Sequence, residues 1–182
     1  NIICSGELHQ MLARRDVHLS EAEYGRIIYA KTAALTELAG ELGALAGSEA
    51  QRAAAKAYGR ACGIAFQIVD DCLDLSGDPE KVGKTLTTDI ERGRLTLPFI
   101  RLLAEAPAAE RDQIASRLLD VSGAEAIESM RRLAIERGAV ASALATARLQ
   151  VAEAKDHLQA LPAGSARDRL ADLADFIVNR DF

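Results

Sequence analysis

Three aspartates, Asp70, Asp71 and Asp74, lie in the otherwise apolar segment 63–75. If that segment is helical, residues three and four positions apart share a face, so the three carboxylates crowd one side of the helix, one turn after Gln67. No Lys or Arg stands three or four positions away to neutralise them. Like-charge pairs of this kind cost roughly 0.2–0.5 kcal/mol each in water, and more where water is scarce. The cluster therefore needs a cation from outside the segment.

The chemistry that suits these carboxylates is the binding of a hard divalent cation. Carboxylate oxygens suit Mg²⁺, which usually completes its coordination shell with water and substrate phosphate. The alternative is an acidic stripe in contact with solvent, which needs no metal. Apolar neighbours favour the metal site because they predict burial, and they are Phe66, Ile68, Val69, Leu73 and Leu75. We therefore predict a diphosphate site bridged by Mg²⁺.

A lysine stands in a second stripe, in an earlier helix. Ser20 and Glu23 have the spacing of a capping box and predict the start of that helix. Along it, a stripe at steps of three and four residues is expected to face the core: Tyr24, Ile28, Lys31, Leu35, Leu38 and Leu42. Lys31 could extend its ammonium group into solvent. The carboxylate cluster favours the other interpretation, in which Lys31 faces a bound anion.

The elements that position these residues can be placed along the chain. The helix that carries the aspartates is predicted over roughly 48–75, and the segment 76–85 is predicted to be a loop because of its Gly and Pro content. The loop carries Lys81 and Lys84 within reach of the helix end, and three more charged residues follow it: Asp89, Arg92 and Arg94. Pro98 predicts the first turn of a further helix.

Composition limits the class of protein. The chain has 182 residues, of which 49% are hydrophobic and 4% aromatic, and its net charge is −5. Abundant alanine and only four prolines predict one all-α region over 1–182. The negative charge argues against nucleic-acid binding, and no apolar run reaches the length of about 18 residues typical of a membrane span. Three cysteines without metal-binding spacing predict reduced thiols in a cytoplasmic protein.

Several short motifs accompany the aspartates in a fixed order. They are Ser5-Gly6-Glu7, Lys31-Thr32, Phe66-Gln67, Gly77-Asp78, Gly83-Lys84, Thr88-Asp89, Gly93-Arg94, Thr96-Leu97-Pro98 and the closing Phe176-Ile177-Val178 with Arg180-Asp181. With the aspartates, they resemble the region around the second aspartate-rich motif of trans-isoprenyl diphosphate synthases, and the closing residues are similar to the C-termini of polyprenyl members. The resemblance implies an antiparallel all-α bundle around a central cavity, usually a homodimer. It also implies Mg²⁺-assisted loss of diphosphate from an allylic diphosphate and addition of isopentenyl diphosphate.

The same resemblance implies roles for single residues. Asp70 would bind Mg²⁺ directly, and Asp71 and Asp74 would do so directly or through water. The allylic diphosphate would be held by Lys31, Thr32, Gln67 and Lys84, while Asp89 would orient a lysine. Two positions depart from the family pattern. Arg94 stands where Lys is common, which keeps the charge but changes its geometry. Thr87 stands where Gly is common, which would change the conformation of the loop.

The family also carries a first aspartate-rich motif far upstream of the second, and no such motif precedes Asp70 here. The chain also begins with Asn1 rather than Met. We therefore expect the C-terminal portion of a synthase, incomplete and inactive by itself. The alternatives are a non-catalytic partner or regulatory subunit that completes a hetero-oligomeric synthase, and a terpene cyclase, for which other motifs would be expected. Product chain length is not predicted, because the residues beside the first motif largely set it.

Overall fold

The computed structural model describes residues 1–77 and 87–180. All regular secondary structure within these residues is helical, which confirms the predicted all-α class. Lys81 and Lys84 of the predicted loop lie outside the described residues. Within the described parts of the chain, no helix is both long and apolar enough to cross a membrane.

The described helices are numbered in chain order. They are α1 (Ile2–Leu12), α2 (Glu21–Ile28), a π-helical turn (Tyr29–Ala33), α3 (Ala34–Gly43), α4 (Glu49–Ser76), α5 (Thr88–Glu91), α6 (Leu97–Glu105), α7 (Ala108–Leu119), α8 (Ala124–Glu136), α9 (Ala139–His157), a 3₁₀ turn (Leu158–Ala160) and α10 (Ser165–Asn179). The 28-residue α4 carries the three aspartates in its last two turns.

Side-chain caps fix where two of these helices begin. Ser20 and Glu23 form the predicted capping box at the start of α2. At the start of α4, the backbone N–H of Gln51 donates to Ser48 Oγ at 3.3 Å, and the backbone N–H of Ser48 donates to Gln51 Oε1 at 2.9 Å. These bonds satisfy two backbone donors that the first turn of a helix leaves without partners. The predicted extent of the aspartate helix, roughly 48–75, is therefore confirmed.

Small residues bring α3 and α4 into close contact. A Cβ atom added at Gly59 would collide with the carbonyl oxygen of Thr36, and one at Gly40 would collide with the carbonyl oxygen of Ala55. A Cβ at Gly63 would meet both the Thr36 hydroxyl and the Ala33 Cα. Later residues of α4 contact earlier residues of α3, so the two helices are antiparallel. Side chains larger than hydrogen at these glycines would force the helices apart.

The predicted apolar stripe between Tyr24 and Leu42 is only half correct. Tyr24 and Ile28 are buried, but the leucines after them are exposed: Leu35 by 57%, Leu38 by 47% and Leu42 by 52%. The reason is the π-helical turn at Tyr29–Ala33, which adds one residue to a turn and rotates everything after it by about 100°. Thr36 and Gly40, rather than the leucines of α3, consequently face α4.

Three further helices hold the C-terminal half of α4 in place. Helices α9 and α10 both pack against it, and the thiol of Cys72 lies 3.9 Å from the carbonyl oxygen of Val140 in α9. From α8, Arg131 Nη1 donates to the carbonyl oxygen of Leu75 at 2.8 Å. That bond satisfies one of the four carbonyl groups that the end of a helix leaves open. The turn that bears the aspartates is thereby fixed from several sides.

Candidate functional site

A polar cavity of about 450 Å³ lies at the C-terminal end of α4. Its lining residues are Gln10, Lys31, Gln67, Asp70, Asp71, Asp74, Thr88, Asp89, Arg92 and Arg94. The cavity thus joins residues from α1, the π-helical turn, α4, α5 and the segment after α5. Two residues predicted from the sequence are not among these lining residues. Thr32 does not line the cavity itself, and Lys84 falls outside the described residues.

Asp71 is buried and is held by two hydrogen bonds from neutral side chains. Its carboxylate accepts a hydrogen bond from the hydroxyl of Tyr24 at 2.7 Å and another from Gln67 Nε2 at 2.8 Å. Burial is the largest cause that raises the pKa of Asp71 to about 7, and the negative charge of Asp89 adds to it. The two hydrogen bonds act in the opposite direction, because they stabilise the ionised form.

Thr32 reaches the cavity through Gln67. The hydroxyl of Thr32 donates to Gln67 Oε1 at 2.9 Å, so that the amide nitrogen of Gln67 is turned toward Asp71. A chain of hydrogen bonds therefore runs from the π-helical turn to the aspartate cluster. Thr32 orients a cavity residue instead of lining the cavity itself.

Asp74 connects α4 to α5. Its Oδ1 accepts from the backbone N–H of Thr88 at 3.2 Å and from the Thr88 hydroxyl at 3.0 Å, while Oδ2 accepts from the backbone N–H of Asp89 at 3.1 Å. Only 3% of the Asp74 residue surface is exposed. Both carboxylate oxygens are thus already engaged by the first turn of α5.

Asp89 and Arg94 form an ion pair on the opposite wall. Arg94 Nη1 lies 3.3 Å from Asp89 Oδ1, and both side chains are mostly buried. Burial raises the pKa of Asp89, as does the charge of Asp74, whereas Arg94 lowers it. The resemblance implied that Asp89 orients a lysine, whereas the ion pair in the structure joins Asp89 to the arginine of the same segment.

Lys31 faces the cavity and not the outer surface. Its ammonium group donates to Gln10 Oε1 at 3.1 Å and lies 3.6 Å from a carboxylate oxygen of Glu7. Helix α1 can approach this closely because Gly6 rests directly on the backbone of Lys31. The alternative in which Lys31 extends into solvent is not what the structure shows, since the side chain is only 22% exposed.

Arg180 is a buried cation next to the cavity that sequence reasoning did not assign to the site. Its guanidinium carbon lies 4.1 Å from the centre of the Phe66 ring, and Nη2 donates to the carbonyl oxygen of Phe66 at 3.0 Å. Burial lowers the pKa of Arg180, and the charge of Asp70 opposes that shift. The end of α10 is thereby joined to α4 one turn before Asp70.

The sequence reasoning also missed Gln10 and the hydrogen bond from Tyr24. Gln10 lies three positions after Glu7 on α1, so both face the same neighbour. This spacing of three residues is the sequence feature that could have placed Gln10 beside Glu7. Tyr24 looked like an ordinary core residue, and nothing in its position showed that its hydroxyl meets Asp71.

The donor set of the cavity fits Mg²⁺. Four carboxylates face three cationic side chains, and mutual repulsion helps to raise the pKa of Asp71 and the pKa of Asp89. A hard cation would relieve that excess negative charge. Within the described residues, no three acidic, His or Cys side chains are grouped as a ready-made metal cage. Mg²⁺ characteristically uses one or two carboxylates together with substrate phosphates.

Comparisons with known proteins identify the family of the chain. A family model described as polyprenyl synthetase matches residues 1–134. The chain belongs to the polyprenyl synthetase family. The resemblance drawn from the motifs is therefore confirmed.

Individual members of the polyprenyl synthetase family match along nearly the whole chain. The octaprenyl diphosphate synthase of Haemophilus influenzae is 34% identical over 184 residues, which cover 100% of this chain and 56% of that protein. A short chain isoprenyl diphosphate synthase of Methanothermobacter thermautotrophicus is 39% identical over 188 residues, covering 98% and 55%. The polyprenyl synthase of Caulobacter crescentus CB15, solved with calcium and isoprenyl diphosphate, superposes with a TM-score of 0.93 at 34% identity, covering 100% and 56%. The chain spans about half the length of these relatives.

Proposed function

We propose that this chain supplies the C-terminal part of a trans-prenyltransferase, which adds isopentenyl diphosphate to an allylic diphosphate. The observation that carries the proposal is the cavity at the end of α4, where three motif aspartates face Lys31 and Arg94. The Caulobacter relative, which shares this fold, was solved with a divalent cation and an isoprenyl diphosphate. From the family resemblance, we further propose that the whole synthase is a homodimer.

The cationic side chains of the cavity would hold the diphosphate. Lys31 enters from the π-helical turn, and Arg92 and Arg94 enter from the segment after α5. Because these cations all line one cavity, each of them would attract an anion bound there. Lys84 is a further candidate from the family pattern. Asp89 fixes the direction of the Arg94 guanidinium through their ion pair.

The aspartates would supply the ligands for Mg²⁺, with Asp70 as the first of them and with Asp71 and Asp74 beside it. When bound, Mg²⁺ supplies positive charge to the oxygens of the departing diphosphate. Gln67 keeps Asp71 in place from one side and is itself oriented by Thr32. These side chains are fixed before any ligand arrives, so little reorganisation is needed when charge develops on the leaving group.

Calorimetry with pyrophosphate tests the proposal. We expect wild-type protein to bind pyrophosphate with a strong dependence on Mg²⁺, and Asp70→Asn to weaken that binding by about tenfold or more. The matched control is Asp112→Asn, which removes one carboxylate from an exposed position on α7, away from the cavity. Equal affinity for pyrophosphate with and without Mg²⁺ would contradict the proposal. So would equal losses in the two variants.

A further inference from the structure

The hydrogen bonds of Asp74 join two parts of the chain that are 14 residues apart. Besides the three bonds accepted by its carboxylate, the carbonyl oxygen of Asp74 accepts from the backbone N–H of Thr87 at 2.8 Å. Four bonds from three consecutive residues therefore converge on one residue of α4. Since Asp74 is buried and is fixed by a 28-residue helix, it is the stationary partner of this contact.

Among the described residues, the contact with Asp74 is the main one that defines the start of helix α5. This helix comprises only the four residues Thr88–Glu91, and the residue before it, Thr87, makes no side-chain cap. A single helical turn is not stable by itself. The backbone N–H groups of Thr88 and Asp89 are donors that the first turn leaves open, and the Asp74 carboxylate accepts from both. Asp74 thus caps α5 from another helix.

The position of α5 determines the position of two cavity residues. Asp89 belongs to α5, and the backbone N–H of Arg94 donates to the carbonyl oxygen of Asp89 at 2.8 Å. The side chains of the same pair form the ion pair on the cavity wall. One residue earlier, the carbonyl oxygen of Gly93 accepts from the backbone N–H of Arg15 at 2.7 Å. A displacement of α5 would therefore move the Arg94 guanidinium relative to the aspartates.

We infer that Asp74 is a positioning residue, whose carboxylate caps α5 and thereby sets the place of Asp89 and Arg94 in the cavity. This role is complete in the metal-free protein and is additional to any charge that Asp74 offers a metal. The positioning role of Asp74 depends on the proposed function in one respect only, namely that Asp89 and Arg94 take part in binding Mg²⁺ and diphosphate. The hydroxyl of Thr88, the one side-chain donor in the contact, should therefore matter although it carries no charge.

Amide hydrogen exchange in the metal-free protein, resolved by residue, tests the cap directly. We expect Asp74→Asn to speed exchange by at least tenfold at Thr88 or Asp89, whichever faces the NH₂ group that replaces one carboxylate oxygen, because that group cannot accept. Asp70→Asn removes the same charge from the same helix and should leave both rates unchanged. Unchanged rates in Asp74→Asn, or equal changes in the two variants, would overturn the inference.

A second pair of variants avoids the aspartates altogether. Thr88→Val removes the hydroxyl donor with little change of shape, whereas Thr88→Ser keeps it. We expect Thr88→Val to speed exchange of the Asp89 amide hydrogen and to weaken Mg²⁺–pyrophosphate binding several-fold. Thr88→Ser should change neither. When Asp74→Asn is combined with Thr88→Val, the loss of affinity should be less than the sum of the single losses. Equal behaviour of Val and Ser, or fully additive losses, would overturn the inference.

The two proposals can fail separately. If wild-type protein does not bind Mg²⁺–pyrophosphate, the proposed function fails, while the exchange rates still decide whether Asp74 caps α5. If binding is observed but exchange at Thr88 and Asp89 does not respond to Asp74→Asn, the cap is refuted and the proposed function stands. Should Asp74→Asn fail to fold, the comparison of Thr88→Val with Thr88→Ser carries the test alone.

Discussion

Replacing Thr87 by glycine should make the protein more stable. Thr87 has a φ of 64° and a ψ of 17°, which is the left-handed region of backbone conformation. For a residue with a Cβ atom this conformation costs about 1–2 kcal/mol, and a β-branched side chain is disfavoured there most strongly. The family pattern drawn from the resemblance has glycine at this position, and glycine adopts the left-handed conformation without that cost.

The size of the gain follows from two opposing terms. Relief of the strain contributes about 1–2 kcal/mol, while the greater freedom of glycine in the unfolded chain removes about 0.5–1 kcal/mol. The net increase in the free energy of unfolding therefore lies between about 0 and 1.5 kcal/mol, with a central value of about 0.75 kcal/mol. For a chain of this length, 1 kcal/mol shifts the melting temperature by about 2–4 °C. Thr87→Gly should accordingly melt about 1–4 °C higher than wild type.

Thermal and urea unfolding of a short series would test this reasoning. Thr87→Val keeps the β-branched shape and should bring no gain, whereas Thr87→Asn should bring part of it, because asparagine tolerates the left-handed region better. Glycine should be the most stable of the series. A Gly variant that is no more stable than Thr, or a Val variant that gains as much as Gly, would refute the assignment of strain to this residue.

Two further predictions concern packing and can be checked by urea unfolding. Gly59→Ala should lower the free energy of unfolding by about 1–3 kcal/mol, because the added methyl group collides with the backbone of Thr36. Gly25→Ala is the matched control: nothing lies within 4 Å of its added Cβ, and it should stabilise α2 by about 0.5–1 kcal/mol. Arg180→Ala should cost about 1–2 kcal/mol through loss of its stacking on Phe66, while Arg180→Lys should cost less because a cation remains over the ring. Equal stability of the Ala and Lys variants would contradict the stacking argument.

The features that could be predicted from the sequence are those that local rules determine. Helix α4 and the capping box of α2 follow from nearest neighbours along the chain, and the structure has both. The direction of Lys31 could also be predicted, because a cation in an apolar stripe needs an anion and the aspartates imply one nearby. In each of these cases, the deciding residues are close in sequence or carry opposite charges.

The exposed leucines of α3 show where local rules fail. Leu35, Leu38 and Leu42 continue the apolar spacing of α2, so an unbroken helix would bury them. The π-helical turn between the two helices cannot be seen in that spacing, since it is a change of hydrogen-bond pattern and not of composition. Helix α3 packs closely against α4 at Gly40 and Gly59, and this contact determines which face of α3 is buried.

Contacts between residues that lie far apart in the chain could not be predicted from the sequence either. Tyr24 and Asp71 are 47 positions apart, and Asp74 and Thr88 are 14 apart. Whether such side chains meet depends on how the helices cross and where their ends lie, which no spacing rule contains. The aspartates could be identified as a group, but the separate partners of each one required the fold.

The partners of the aspartates explain how one small cavity tolerates so much negative charge. Burial and neighbouring carboxylates raise the pKa of Asp71 and the pKa of Asp89, so ionising these groups costs stability. The Tyr24 hydroxyl and the Gln67 amide hold Asp71 in position without neutralising it, because neither carries a charge. An isosteric amide in place of one carboxylate would reduce the repulsion, so stability alone does not account for the cluster. The uncompensated charge is best understood as a binding site for a cation that arrives together with its anionic ligand.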